Sequence, residues 1–218
     1  MSIIAMSDLH LGALNSQTKK IDAVLDIAEK YDTIIIVGDL INSYLNRLGS
    51  KDYRILKRLS LLNKSHRLVV VRGNHDIYTE NDISLLTGIQ YCEYYIIESG
   101  GKLFYFEHGD YYDSFIIDRP YITCVAELTY NILQAIDKSH TVARLLKHSS
   151  KQFIRCSEKV RAGILDSGAR FHCDWAIAGH THHAELNKEL GYINTGCFTE
   201  NPCTYVTIKD GEPRLCIA

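Results

Sequence analysis

The chain has 218 residues, 46% of them hydrophobic and 23% charged, as expected of a globular protein with a core of its own and room for one sizeable α/β domain. Its net charge of −2 gives no whole-molecule case for nucleic acid or membranes, so any such case has to come from local charge. Seven cysteines, an odd number without a C-x-x-C pair, argue against a zinc ribbon or a thioredoxin-like motif and fit a reducing interior.

The apolar run Ile3 to Met6 soon meets Asp8 and His10. It is too short for a signal sequence or a membrane span and reads as a buried first strand, which leads to the expectation of a cytoplasmic protein. Two more Ile- and Val-rich runs follow, Thr33 to Val37 and Leu68 to Val71. Each ends in a polar or Gly-containing cluster, the pattern of strands buried on both faces. Between them, about Thr18 to Lys30 carries Ile21, Val24, Leu25 and Ala28 on one helical face, and about Lys51 to Asn63 carries Ile55, Leu56, Leu59 and Leu62. Strand, helix, strand, helix, strand predicts right-handed crossovers and a parallel sheet, whose functional residues gather at the carboxyl ends of its strands.

Tyr91 to Glu98 and Lys102 to Phe106 then read as a hairpin around Gly100-Gly101. From about Asp118 to Asp166 the pattern is helical, with Tyr121, Val125, Leu128, Ile132 and Ile136 at helical spacing and a break near Ser139. A second helix, about Thr141 to Leu165, places Arg144, Lys147, Lys151, Arg155 and Lys159 on one face. Strands return at Trp175 to Ala178 and in two or three short runs near the end.

Polar motifs stand where the strands end: Ser7-Asp8-Leu9-His10, Gly38-Asp39, Gly73-Asn74-His75-Asp76, His108-Gly109-Asp110 and Gly179-His180-Thr181-His182. Asp8 and His10 can both leave one turn toward one site. Asp39 leaves the neighbouring strand and could bridge two cations, and Asn74 offers a neutral amide oxygen. His180 and His182, two apart on an extended segment, converge on one side. Hard oxygens, imidazoles and a shared carboxylate are what two divalent ions need to hold a phosphoryl group. Taken singly the motifs have plainer readings: polar turns for Asp8, Asp39 and Asn74, and an ordinary core or surface histidine for His108. His183 should point away, and His66, His140, His148 and His172 match no motif.

In this order the five segments resemble the signature of the calcineurin-like metallophosphoesterases. The resemblance implies a four-layer α/β sandwich of two mixed sheets flanked by helices, with a helical cap from about residue 113 to 168. It implies that Asp8, His10 and His182 bind one metal, that Asn74, His108 and His180 bind a second, and that Asp39 bridges them. His75 would protonate or stabilise the leaving oxygen. Two aspartates against two divalent ions leave a site of roughly +2, suited to a phosphate anion. Imidazole ligands favour manganese, iron or zinc over calcium, and manganese is the expected ion with iron or zinc as alternatives. One departure stands out: the family's G-D-x-x-D ends here in Asn42, with an effect expected on the hydrogen bonds around the ligands.

The segment Tyr192 to Phe198, the His108-Gly109-Asp110 motif and the long helical insert are also similar to the UDP-2,3-diacylglucosamine hydrolase subgroup, which cleaves a pyrophosphate bond. His75 stands where those enzymes usually carry arginine. The implied reaction is hydrolysis of a phosphoester or pyrophosphate bond, on a phosphorylated small molecule such as a UDP-sugar lipid or a relative. A nuclease or protein phosphatase using the same site, and a non-catalytic scaffold of the same fold, are the competing readings. Asn194 could line the site through its amide or serve a turn. Arg144, Lys147, Lys151 and Arg155 are either a solvated face or a surface for an anionic substrate or an anionic membrane.

Overall fold

The computed structural model describes residues 1–42, 47–113 and 151–218. Its first sheet is built on β1 (Ile3–Met6), β2 (Thr33–Val37) and β3 (Arg67–Val71), which pair in parallel with Ile4 opposite Ile34 and Ile34 opposite Leu68. Helices α1 (Thr18–Ala28) and α2 (Ser50–Leu62) make the crossovers. Their buried apolar residues are Ile21, Val24, Leu25 and Ala28 in α1 and Ile55, Leu56, Leu59 and Leu62 in α2, the faces that the sequence spacing predicts.

Apart from Thr33 and Arg67 at their starts, these strands are apolar throughout because both of their faces are covered. Ile4, Met6, Ile34, Ile36 and Val70 pack with the helices, while Ile3, Ala5, Ile35, Val37 and Val71 pack with the second sheet. Each Ile, Val or Met side chain among these contributes about 1.5–3 kcal/mol on burial.

The second sheet contains β5 (Tyr94–Ser99), β6 (Lys102–Glu107), β7 (Trp175–Ala178), β8 (Glu185–Asn187) and β9 (Tyr192–Asn194), in the order β5-β6-β7-β9-β8. Phe104, Phe106, Ile177 and Ile193 fill the space between the sheets. β10 (Thr204–Lys209) lies antiparallel beside β1, and β11 (Glu212–Ile217) closes that edge. The chain is therefore a sandwich of two mixed sheets with helices, the predicted class.

Three details differ from the sequence reading. The run from Tyr91 does not belong to one hairpin strand: β4 (Gln90–Cys92) pairs with β3 in the first sheet, and the chain changes sheets at Glu93 before β5. A helix unforeseen in the sequence, α3 (Glu80–Thr87), follows the third motif and stops at Gly88, whose φ of 73° suits a left-handed cap. Finally, α4 (Lys151–Arg170) runs past the expected end at Leu165. From Val160 onward it is an outer layer of the sandwich, with Val160 and Ile164 packed on Ala176, Ala178 and Tyr192. Residues 114–150, the rest of the expected cap, lie outside the described residues, as do Arg144 and Lys147. No helix among the described residues is long and apolar enough to cross a membrane.

Candidate metal centre

The loops after β1 and β2 continue as a pair beyond the strands. Asp8 N–H donates to the Gly38 carbonyl at 3.1 Å, His10 N–H to that of Asp39 at 3.0 Å and Leu11 N–H to that of Leu40 at 2.9 Å. Side chains that would alternate on a strand are turned to one place by left-handed backbone, with φ of 54° at Asp8, 44° at His10, 53° at Asp39, 65° at His180 and 60° at His182. Such conformations cost about 1–3 kcal/mol each and concentrate at functional sites. Two glycines allow the close approach. A Cβ on Gly38 would lie 2.1 Å from His108 Nδ1, and one on Gly73 would lie 2.2 Å from Asp39 Oδ1.

Asp76 holds the frame. It is fully buried, and its Oδ2 accepts from the N–H groups of Asp39 (2.8 Å) and Gly73 (3.0 Å). Its Oδ1 accepts from those of Leu40 (3.0 Å) and Ile41 (3.3 Å). Burial and the Asp39 charge push its pKa up to about 7, while the N–H donors pull the other way. The geometry is that of an ionised carboxylate, since both oxygens only accept.

Six predicted residues meet in one space. Asp8, His10 and His182 place ligand atoms within 4.8 Å of one another, as do His10, Asp39 and His75, and Asp8, Asp39 and His108. Within that space Asp8 Oδ1 is 3.1 Å from His182 Nε2, and Asp39 Oδ2 is 3.4 Å from His108 Nε2 and 3.6 Å from His10 Nε2. Asp8 Oδ2 faces away and accepts from the Ser7 hydroxyl and from His180 N–H.

Asp8 Oδ1, Asn74 Oδ1 and His108 Nε2 are buried with no hydrogen-bond partner. Buried polar atoms are costly unless paired or bound to a cation. Carboxylate oxygen, amide oxygen and imidazole nitrogen together make a donor set that fits a divalent transition metal.

The outer ring nitrogens are fixed by the protein. His108 Nδ1 donates to the Val37 carbonyl at 2.8 Å, and His75 Nδ1 donates to the Asn42 carbonyl. Both rings therefore keep Nε2 for the site. The departure at Asn42 leaves this bond intact, because a backbone oxygen makes it. His182 Nδ1 lies 3.4 Å from Thr199 Oγ1 and 3.7 Å from Glu200 Oε1. His180 is turned the other way, with Nε2 at 3.0 Å from Asp113 Oδ2, and its ring centroid is 5.3 Å from that of His108. It belongs to none of the three clusters.

The charges reinforce one another. Burial opposes ionisation of Asp8, but His182 and His10 outweigh it and hold the carboxyl well below the usual range. Burial likewise opposes ionisation of Asp39, and His108, His75 and His10 reverse the balance. Burial disfavours a charged His108, yet Asp39 raises its pKa well above the ordinary value. For His10 burial wins over Asp8 and Asp39, and its pKa falls.

The remaining predicted residues stand elsewhere. Asn194 is 1% exposed, and its amide donates to the Gly179 carbonyl (2.6 Å) and Thr181 Oγ1 (3.1 Å) while its oxygen accepts from Gly196 N–H (3.0 Å). It braces the His180–His182 loop instead of lining the site, because its NH₂ group is engaged in that loop and its oxygen in the turn at Gly196. His183 is exposed. Lys151 opens α4 and Arg155 is exposed on it. Asp76, Asp113 and Glu200 have places around the ligands that the sequence reading did not assign; only Asp76, inside the third motif, carried a local signal.

The family model for calcineurin-like phosphoesterase matches residues 1–184. Among solved structures the chain is similar to Yfce, a phosphoesterase from E. coli, at 18% identity over 96% of this chain and 88% of that one, with a TM-score of 0.52. It is similar to a novel archaeal phosphodiesterase at 16% identity over the whole of both chains, with a TM-score of 0.52. A third is Vacuolar Protein Sorting 29 from Cryptosporidium parvum, at 14% identity over 100% of this chain and 96% of that one, also with a TM-score of 0.52. No curated protein sequence matches the chain. At these identities the solved structures speak for the fold, whereas the family match spans the loops after β1, β2, β3, β6 and β7. The chain therefore belongs to the calcineurin-like phosphoesterase family and is, by that membership, a metal-dependent phosphoesterase.

Proposed function

We propose that the chain hydrolyses phosphoester or pyrophosphate bonds with two divalent ions. Asp8, His10 and His182 would hold one ion and Asn74, His108 and His180 the other, with Asp39 shared between them. The observation that carries this reading is the set of buried ligand atoms without hydrogen-bond partners, Asp8 Oδ1, Asn74 Oδ1 and His108 Nε2, beside carboxylates and imidazoles in strained backbone. Manganese is the first choice and iron or zinc the next, because the carboxylate and amide oxygens suit manganese and the imidazoles suit iron and zinc. Two bound ions supply Lewis-acid charge to a phosphoryl group and acidify water.

His75 is the residue placed to serve the leaving group. Its side chain is 23% exposed, so substrate can reach it, and its ring centroid lies 4.8 Å from that of His10. With Nδ1–H committed to the Asn42 carbonyl, Nε2 is the atom that can carry a proton toward a departing oxygen. A small nucleotide-linked substrate, such as a UDP-sugar lipid or a relative, is favoured by the segment Tyr192 to Phe198 and the insert that precedes α4. The basic residues Arg144, Lys147, Lys151 and Arg155 would serve an anionic substrate or membrane. Free thiols at Cys92, Cys173, Cys197, Cys203 and Cys216 suit a cytoplasmic setting. A non-catalytic scaffold of the same fold is the second reading; such scaffolds tend to lose ligands, and the retention here of every candidate ligand together with His75 weighs against it.

The test is hydrolysis of bis-p-nitrophenyl phosphate and p-nitrophenyl phosphate with manganese, beside Asp39→Asn and His75→Ala. Activity should vanish in Asp39→Asn and fall about 10²–10⁴-fold in His75→Ala. A wild-type protein that binds no divalent metal and hydrolyses neither ester would refute the reading.

A further inference from the structure

His108 and His75 each spend Nδ1–H on a backbone carbonyl, whereas His180 spends Nε2 on a carboxylate, 3.0 Å from Asp113 Oδ2. An ionised carboxylate only accepts, so a neutral His180 carries its proton on Nε2 and its lone pair on Nδ1. Asp113 is 7% exposed and is held firmly. It ends the 3-10 turn Asp110–Tyr112, and its N–H donates to the Asp110 carbonyl at 3.0 Å. Tyr112, its neighbour, has its hydroxyl 2.7 Å from Ser167 Oγ on α4 and 3.1 Å from Glu107 Oε2 on β6. The Tyr112 ring lies against α4 at Gly163, where a Cβ would come within 2.2 Å of it.

We propose that Asp113 is a positioning residue of the metal centre, one that fixes His180 as an Nδ1 ligand by accepting its Nε2–H. The proposal rests on the two-ion reading above. A carboxylate behind a ligand histidine sets the tautomer and raises its basicity, and losing it typically weakens metal binding about 10–100-fold. Asparagine can turn its NH₂ group toward Nε2, which would favour the opposite tautomer.

The first measurement is ¹⁵N NMR of His180 in the metal-free wild type at a pH where the ring is neutral, with manganese titrations of wild type, Asp113→Asn and Asp113→Glu. The Nε2–H tautomer is expected in the wild type. Asp113→Asn should weaken one of two manganese sites about 10–100-fold and leave the other, with partial recovery in Asp113→Glu. An Nδ1–H tautomer in the wild type overturns the proposal even if the variants fail to fold. So do two unchanged manganese affinities in Asp113→Asn, an outcome that leaves the two-ion reading standing. A wild type that binds no manganese defeats the two-ion reading and the ligand role with it.

Discussion

Three glycines separate steric crowding from backbone strain at the centre. A methyl on Gly73 would lie 2.2 Å from Asp39 Oδ1 and 2.6 Å from the Asp39 nitrogen. The nitrogen cannot retreat, because its N–H is bonded to buried Asp76 at 2.8 Å. Asp39 Oδ1 cannot swing away without losing His75 N–H at 3.0 Å. Overpacking of this kind costs about 1–3 kcal/mol. Alanine returns about 0.4–1 kcal/mol by restricting the unfolded chain. Gly73→Ala should therefore lose about 1–2 kcal/mol net, or roughly 2–8 °C in Tm for a chain of this length. Displacement of Asp39 should also weaken manganese binding.

Gly101 is the control: its φ is +75°, and a Cβ there meets nothing within 4 Å. Gly101→Ala should lose about 0.5–1 kcal/mol from the left-handed backbone alone, with manganese affinity unchanged. Gly38, with φ +85° and His108 in the way, carries both penalties. The assay is urea unfolding of the chelated proteins with manganese calorimetry alongside. A Gly73→Ala protein as stable as the wild type, with the same manganese affinity, would refute the packing described around Asp39.

Two more outcomes follow from buried acids. Asp76→Ala orphans the N–H groups of Asp39, Leu40, Ile41 and Gly73, and should destabilise the chelated protein by about 3 kcal/mol or more; a loss below about 1 kcal/mol in urea unfolding would contradict that role. Glu107 has its pKa raised above the ordinary 4.5 by burial, against hydrogen bonds from Tyr105 and Tyr112. A raised folded value means a contribution that is full below the ordinary 4.5 and is lost as pH rises from there through the higher folded value. Glu107→Gln cannot ionise, so the stability difference between the proteins should change across that window, and a pH-independent difference would sink the assignment.

The sequence was most legible where chemistry and chain geometry coincide. β1, β2 and β7 stop where Ile and Val give way to Asp, Gly and His, so the strand ends and the candidate ligands announce each other. It was less legible where a signal is short or lies far along the chain. α3 exposes Leu85 and Leu86, which blurs its helical period. β4 and β5 are divided only by Glu93, and no local pattern tells two strands of different sheets from one longer strand. Asp113 meets His180 across a separation of 67 residues, and only the folded chain brings them together. Asn194 looked equally apt for a site or a turn, and the amide bonds decided between them. The expectation of a cap running to about residue 168 hid that the apolar face of α4, with Val160 and Ile164, seals the sandwich.

The centre draws on both sheets at once. Asp8, His10, Asp39 and Asn74 come from the loops of one sheet, and His108, His180 and His182 from those of the other. Each expected ion would thus clasp two layers that otherwise adhere through the Ile, Val and Phe side chains between them and a few hydrogen bonds, such as that from His108 to the Val37 carbonyl. Binding would then be linked to docking of the layers, and its free energy would count toward cohesion of the whole molecule. A cell that withholds the metal would loosen the seam as well as silence the catalyst, exposing the interlayer to proteases and to pairing with other chains.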